Sequence, residues 1–336
     1  MTRVRRDRAV RRARLVVTAT AALATAGVVG SPAPASAAGP ARLASPATAV
    51  QGTVGSPASA ALEAELEGSA SLRRELRAAF GSSADEVSVA VRDRRTGAVF
   101  TYNPGLTNCT GSIVKVMVLT AIIRDRRAGG RFLSAGQQRL AERMIRFSDN
   151  DATTSLLRQA GGRSALDRVA RAAGMTSTRS AGSWGRTATT APDQLRLMDA
   201  LVAPRSTLLS ARDRAYVLRL MGRVSPEQRW GVGRVPAGVR AQVKNGWVPL
   251  SPKGWRVNSI GHASGAGRDY TMAVLSYRNA SMGEGVRHVN DASRIVGAHL
   301  SRSRGASVRP AVSGSAAASA LSRASVAALS QPRPIW

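Results

Sequence analysis

The 336-residue chain carries 49 lysines and arginines against 20 acidic residues, a formal charge of +29, with 43% hydrophobic and only 4% aromatic residues. That hydrophobic share is enough to bury a core in one large domain or two small ones, and a single cysteine, Cys109, excludes an intramolecular disulfide framework. The arginines are scattered, with no stacking platform or DNA-reading motif beside them, so the charge does not argue for nucleic-acid binding.

Residues 3–14 hold seven arginines, Leu15 to Gly30 is apolar and small, and Ala35-Ser36-Ala37 offers a small-x-small cleavage site. These are the three parts of a secretory signal peptide over residues 1–37. The apolar run is shorter than the roughly 20 residues a membrane span needs. The pairs Arg5-Arg6 and Arg11-Arg12 leave a twin-arginine route open beside the general one, and no cysteine follows the apolar run to take a lipid. The expectation is an exported monomer, outside the cell or against the wall. There its charge would attract anionic envelope polymers, although an arginine bias of this kind also fits a codon preference.

Residues 38–60 are Ala, Pro, Ser, Gly, Thr and Val with hardly a charge, a composition that reads as a disordered linker. Leu62, Leu66, Leu72, Leu76 and Phe80 then recur at helical turns, and Gly81 ends the helix. Val87, Val89 and Val91 alternate with polar residues, Arg94 to Gly97 turns the chain, and Val99 to Tyr102 returns, which predicts an antiparallel hairpin. From Thr110 to about Gly222 nothing reads as strand. Helical spacing or start signals mark 110–124, 134–147, 149–160, 163–173, 190–203 and 210–222; Thr190-Ala-Pro-Asp193 is a cap, a first-turn proline and a capping-box acid. Val239 to Lys244, Gly254 to His262 and Tyr270 to Tyr277 read as three strands and Gly283 to Leu300 as a closing helix. The stretch 303–336 returns to Ala, Ser, Arg and Pro and reads as a disordered tail.

Chemistry concentrates at Thr110 to Arg124, an apolar run interrupted by one hydroxyl, Ser112, and one amine, Lys115. On a helix the two lie a turn apart on one face, which sets the amine beside the hydroxyl. A buried lysine with a depressed pKa can act as the base that makes a serine nucleophilic. The N–H groups at the helix start face the oxygen that turns negative during acyl transfer. A lone S-x-x-K equally fits a helix cap with a snorkelling lysine. Composition favours the chemical reading: Lys115, Lys244 and Lys253 are the only lysines among the 49 basic residues, and arginine cannot give up its proton.

Ser148-Asp149-Asn150 falls at a turn between two helices, where short polar side chains often cap. Lys244-Asn245-Gly246-Trp247 falls late in a predicted strand, where a glycine lets another backbone or a ligand come close. Cys109 reads as a small buried residue, having no histidine near it in sequence. His262, His288 and His299 all lie in the last quarter; neither G-x-S-x-G nor H-E-x-x-H occurs, so a Ser-His-Asp hydrolase and a metal centre have little support.

In order, S-x-x-K, S-D-N and K-x-G make the chain resemble the serine acyl-enzymes typified by class A β-lactamases and penicillin-binding D,D-peptidases, over about residues 62–302. The resemblance implies an α+β, β-lactamase-like fold: a five-stranded antiparallel sheet flanked by N- and C-terminal helices, with an inserted all-helical subdomain at about 110–225 in a domain of 61–302. It implies a Ser112 nucleophile, Lys115 as base or relay, and Ser148 passing a proton to the leaving nitrogen. Asn150, Lys244, Asn245, Gly246 and Trp247 would hold substrate, with Lys244 drawing its carboxylate and the N–H groups of Ser112 and Trp247 holding the oxyanion. No cofactor or metal is implied. The implied substrate is a β-lactam, with antibiotic resistance as the outcome, or a peptidoglycan stem peptide if the chain is a D,D-carboxypeptidase.

Three departures accompany the resemblance. Asn245 stands where the family has Thr or Ser, and the interval from Ser112 to Ser148 is short. The family's deacylating glutamate also has no counterpart, since no glutamate lies between Glu142 and Glu227. Asp193 is the acid nearest the corresponding stretch, Gly182 to Thr190, and the cap at Thr190 accounts for it. An acyl-enzyme that forms and persists, in a penicillin-binding or sensing module, is therefore a third reading.

Overall fold

A computed structural model describes residues 57–302, with side chains from residue 67. The stretches read from sequence as signal peptide and tail, and most of the one read as linker, lie outside these residues. The first helix, α1 (Pro57–Phe80), begins a few residues inside the stretch read as linker. Proline at its first position has a fixed φ suited to a helix start, and the alanines that follow are good helix formers. Among its described side chains, Leu72, Leu76 and Phe80 are buried, and Gly81, at φ +54°, turns the chain out of the helix.

The hairpin follows as β1 (Val87–Asp93) and β2 (Val99–Tyr102). A two-residue strand β3 (Asn108–Cys109) leads into a 3₁₀ turn at Gly111–Ile113 and the central helix α2 (Val114–Ala128). Then come α3 (Ala135–Arg146), α4 (Asn150–Gln159) and α5 (Arg163–Ala172). The two-residue β4 (Ala188–Thr189), α6 (Ala191–Val202) and α7 (Ala211–Met221) complete the inserted block. Strands β5 (Arg240–Pro249), β6 (Trp255–Gly265) and β7 (Arg268–Asn279) and helix α8 (Met282–Arg302) close the chain.

The five long strands form one antiparallel sheet in the order β2-β1-β7-β6-β5, so chain segments on either side of the helical block pair in its middle. Both faces are covered, and β7 shows it: Met272 and Val274 join the core under α1 and α8, while Ala273 and Leu275 join the core around α2 and α6. That is the period of two expected of a strand buried on both sides. Every residue of α2 from Val114 to Ile123 is buried, as a helix apolar on all sides requires. Each buried Val, Leu, Ile or Met of α2 contributes roughly 1.5–3 kcal/mol, which makes it the anchor of the helical block.

Two local expectations change. The helical block contains strand after all: β4 pairs with β3, Asn108 with Thr189 and Cys109 with Ala188, and two residues are too few to leave a periodic trace. Asp193 does more than cap. Thr190 does accept the Asp193 N–H, but the Asp193 carboxylate is fully buried and accepts from the Ser177 N–H and the Thr178 hydroxyl at 2.8 Å each and from Arg196 at 2.6 Å. It ties the segment before β4 to α6, so it is not available to activate water.

Candidate active site

Ser112 sits in the 3₁₀ turn that opens α2, and this turn is held from two sides. The buried Asn108 and Asn258 amides form a crosspiece. Asn108 Nδ2 donates to Asn258 Oδ1 and the Ser276 carbonyl, and Asn258 Nδ2 donates to the carbonyls of Cys109 and Thr110. From the other side the Thr110 N–H donates to the Thr187 carbonyl at 2.9 Å. Cys109 is buried between them, and that burial pushes its thiol pKa up, which makes it a packing residue and a poor nucleophile.

Strand β5, the free edge of the sheet, closes on this turn. A Cβ on Gly246 would stand 2.5 Å from the Ser112 nitrogen and 2.7 Å from the Thr110 carbonyl oxygen; one on Gly111, at φ +52°, would stand 2.8 Å from the Trp247 nitrogen. Only paired glycines let the two backbones approach so closely. The result brings the nitrogens of Ser112 and Trp247 to the two sides of one contact.

One turn along, Lys115 is fully buried. Its amine donates to the Ser148 carbonyl at 2.5 Å, the Ser148 hydroxyl at 3.0 Å and Asn150 Oδ1 at 2.8 Å. The amine therefore faces the S-D-N turn, with its three hydrogen bonds there and none to Ser112, which refines the expectation of a direct Ser112–Lys115 pair. Burial lowers its pKa from 10.5 to about 8, opposed only by the charge of Asp149. Asp149 itself caps α4 through the Ala152 N–H and is clamped by Arg143.

Ser148 joins the three motifs. Its backbone is held at φ +59°, a left-handed conformation costing about 1 kcal/mol or more for a side chain other than glycine. That turn aims its hydroxyl between two amines, Lys115 at 3.0 Å and Lys244 at 3.1 Å. Lys244 is fully buried, and desolvation, with the charge of Lys115 behind it, holds its pKa well below 10.5. Its other contacts are the Asn245 carbonyl and Gln228 Oε1. Lys244 thus stands behind the Ser148 hydroxyl, on the side away from Lys115.

Asn245 also differs from expectation. Its amide nitrogen donates to the carbonyls of Gln228 at 2.8 Å and Trp230 at 3.0 Å, so both donors serve to tie β5 to the 228–230 turn rather than to hold substrate. Its Oδ1 is buried without a partner among the described residues. Trp247 packs its ring near Trp230, with centroids 6.2 Å apart.

Sequence reasoning missed one residue of this site. Trp184, in the stretch between α5 and β4, lays its indole over the Lys115 amine, 5.1 Å from ring centroid to Nζ, and anchors its own N–H on the Thr154 hydroxyl of α4. An aromatic residue in a Gly- and Ser-rich loop has no periodicity to betray it; its rarity, one of five tryptophans in the chain, was the available signal. Among the described residues no cluster of His, Cys, Asp and Glu is arranged to hold a metal ion. His262 is occupied between Gln242 and Asp269, at 2.7 Å from each.

The comparisons agree with this architecture. The mycobacterial relatives named "Putative lipoprotein LppW", from Mycobacterium bovis and Mycobacterium tuberculosis, are 29% identical over 214 residues, 60% of this chain. The match spans 66% of their own length. A class A β-lactamase from Bacteroides cellulosilyticus superposes with a TM-score of 0.62 at 17% identity, over 70% of this chain and 99% of that one. A class A β-lactamase from Mycobacterium abscessus does so with a TM-score of 0.59 at 20% identity, over the same shares. The fold is thus that of class A β-lactamases. The sequence model of the β-lactamase enzyme family matches residues 71–136 and 134–300, most of the described chain, and the protein belongs to that family.

Proposed function

We propose that the chain is an exported serine hydrolase that forms an acyl-enzyme on Ser112 with a β-lactam or a related peptide amide or ester. The observation that carries this reading is the Ser148 hydroxyl held between the Lys115 and Lys244 amines, with Lys115 one helical turn after Ser112. With a pKa of about 8, roughly a tenth of Lys115 is neutral at pH 7. A neutral amine has two N–H groups and a lone pair, so one of its three contacts must reverse or be released. The Ser148 carbonyl and Asn150 Oδ1 only accept, and the Ser148 hydroxyl alone can turn to donate. When that contact is released instead, the lone pair is free to take the proton of Ser112, the residue one helical turn before Lys115.

In the proposed step the Ser112 proton passes to Lys115 as Ser112 Oγ bonds to the carbonyl carbon. The oxyanion is met by the backbone N–H groups of Ser112 and Trp247. As the C–N bond breaks, the leaving nitrogen takes the Ser148 proton, which Lys115 replaces. Asn150 lies at the exposed start of α4 and presents its amide to the substrate backbone.

A specific observation favours slow release over rapid turnover. The stretch where the family's glutamate is expected carries the Trp184 indole over Lys115, and Asp193 is locked away from it. This supports a penicillin-binding or D,D-peptidase-like role over an efficient β-lactamase. Export and envelope association are supported by the lipoprotein name of the mycobacterial relatives; among the described residues no helix is long and apolar enough to cross a membrane. Incubation with a fluorescent penicillin, followed by intact-protein mass spectrometry over time, tests the reading. Covalent label on Ser112 is expected, with a lifetime long compared with its formation. Label that vanishes within the mixing time indicates a β-lactamase, and wild-type protein that never takes label overturns the acyl-enzyme proposal.

A further inference from the structure

On the α8 face of the sheet lies a cavity of about 620 Å³. This is the face away from the site described above: Val243 packs in the core beneath α8, and Lys244, the next residue of β5, reaches to the other side. The volume falls in the range of small-molecule sites. Four arginines from three elements line it: Arg234 from the turn before β5, Arg268 from the start of β7, and Arg287 and Arg294 from α8. One acid, Asp291, accompanies them and is paired with Arg294 at 3.5 Å.

Several donors around this cavity lack an acceptor among the described residues. Arg234 and Arg287 are exposed and make no side-chain hydrogen bond or ion pair among the described residues. Arg268 donates to the Ser301 hydroxyl, and its Nε is buried with no partner among the described residues. Asn290 accepts the Gly231 N–H through Oδ1, which leaves its Nδ2 to point elsewhere. An oxyanion in the cavity would give the exposed Arg234 and Arg287 guanidinium groups the acceptors they lack.

We propose that this cavity is a second binding site, for a compact anion bearing two or more phosphate or carboxylate groups, held between Arg234, Arg268 and Arg287. Guanidinium forks on separate elements match the bidentate geometry of such groups and select a divalent ligand over a single small ion. The site is independent of Ser112, on the opposite face of the sheet, and stands whether or not Ser112 is acylated.

Isothermal titration of the full chain at 150 mM salt with inorganic pyrophosphate, and separately with citrate, tests the proposal. Because the protein is so basic, anions will also adhere without a site. The double variant Arg234→Ala/Arg287→Ala is therefore compared with Arg158→Ala/Arg171→Ala, which removes the same charge from exposed positions on α4 and α5. Expected is saturable binding of at least one probe at one equivalent, weakened about 30-fold or more in the cavity variant and little changed in the other. Both variants should keep their melting temperature and their penicillin labelling, because none of the four side chains packs in the core or the candidate site. Absence of saturable binding to either probe, or equal weakening in both variants, overturns the proposal.

Discussion

In the proposed mechanism Lys115 is the base, and it suits that role as a buried amine without a carboxylate touching it. Replacing it with arginine keeps the charge and removes the ability to take a proton. Lys115→Arg should therefore lose acylation by a factor on the order of 10²–10⁴, read as the rate of penicillin labelling; labelling at the wild-type rate would remove Lys115 as the base. In the wild type that rate should climb with pH and level off above about 8, because deprotonation creates the active form and burial has brought the pKa to about 8. Trp184 makes the opposite kind of claim. If its indole keeps water from the ester, Trp184→Ala should leave labelling intact and shorten the lifetime of the label several-fold, and an unchanged lifetime would exclude this role. The difference between the two residues is also a difference in legibility. Three lysines in a background of arginine are conspicuous by their chemistry, whereas a ring that matters only through what lies beneath it cannot be read without the fold. Asn245 sits between these cases: its place in K-x-G suggested substrate, and only the carbonyls at 228 and 230 reveal that its amide is a tie.

At the scale of elements, catalytic geometry comes from two backbones forced together, the Gly111 turn and strand β5. A methyl group at Gly246 would meet main-chain atoms of Thr110, Ser112 and Ile113 at 2.5–2.7 Å, and backbone cannot swing aside as a side chain can. Gly246→Ala should cost about 2 kcal/mol or more in urea unfolding and should slow labelling as β5 is pushed from the turn. Gly105→Ala, at a position where a Cβ meets nothing within 4 Å, serves as the control and should be near neutral. Equal stability of the two variants would show that the turn and strand are not locked together. The long elements were readable because their patterns repeat: valines at 87, 89 and 91 in β1, leucines along α1, the cap and proline before α6. The parts that place Ser112 were not, since β3, β4 and the Asn108–Asn258 crosspiece depend on residues 79 to 150 positions apart in sequence. A single asparagine in a polar stretch does not announce which distant carbonyls it will reach.

For the whole molecule, the composition that hides so much also makes one measurement unusually clean. Arginine does not titrate below pH 12, so raising the pH from 7.5 to 9 leaves nearly all of the large positive charge untouched. Only three lysines are present, and two of them, Lys115 and Lys244, are buried with their pKa values pushed down by desolvation. In the unfolded chain both return to about 10.4. Between a folded pKa of about 8 for Lys115 and that value, the unfolded state binds more protons than the folded one, so stability must rise with pH. Lys244 contributes with the same sign, its folded value also lying below its unfolded one. The three histidines, likewise depressed by partial or full burial, act at lower pH and are largely exhausted by about pH 7.5. Cys109 has a raised value and opposes this rise from about pH 8.5 upward, by less than the two lysines together add, while the tyrosines Tyr102, Tyr216 and Tyr270, also raised, oppose it only from about pH 10. Urea unfolding between pH 7.5 and 9 should therefore show stability rising by about 1 kcal/mol or more, and Lys115→Met should reduce the slope. A flat or falling profile in the wild type would mean that both amines are as easily protonated inside the protein as in water. No neutral amine would then be present near pH 7 to take the proton of Ser112, and the acyl-transfer reading would lose its base along with its pH dependence.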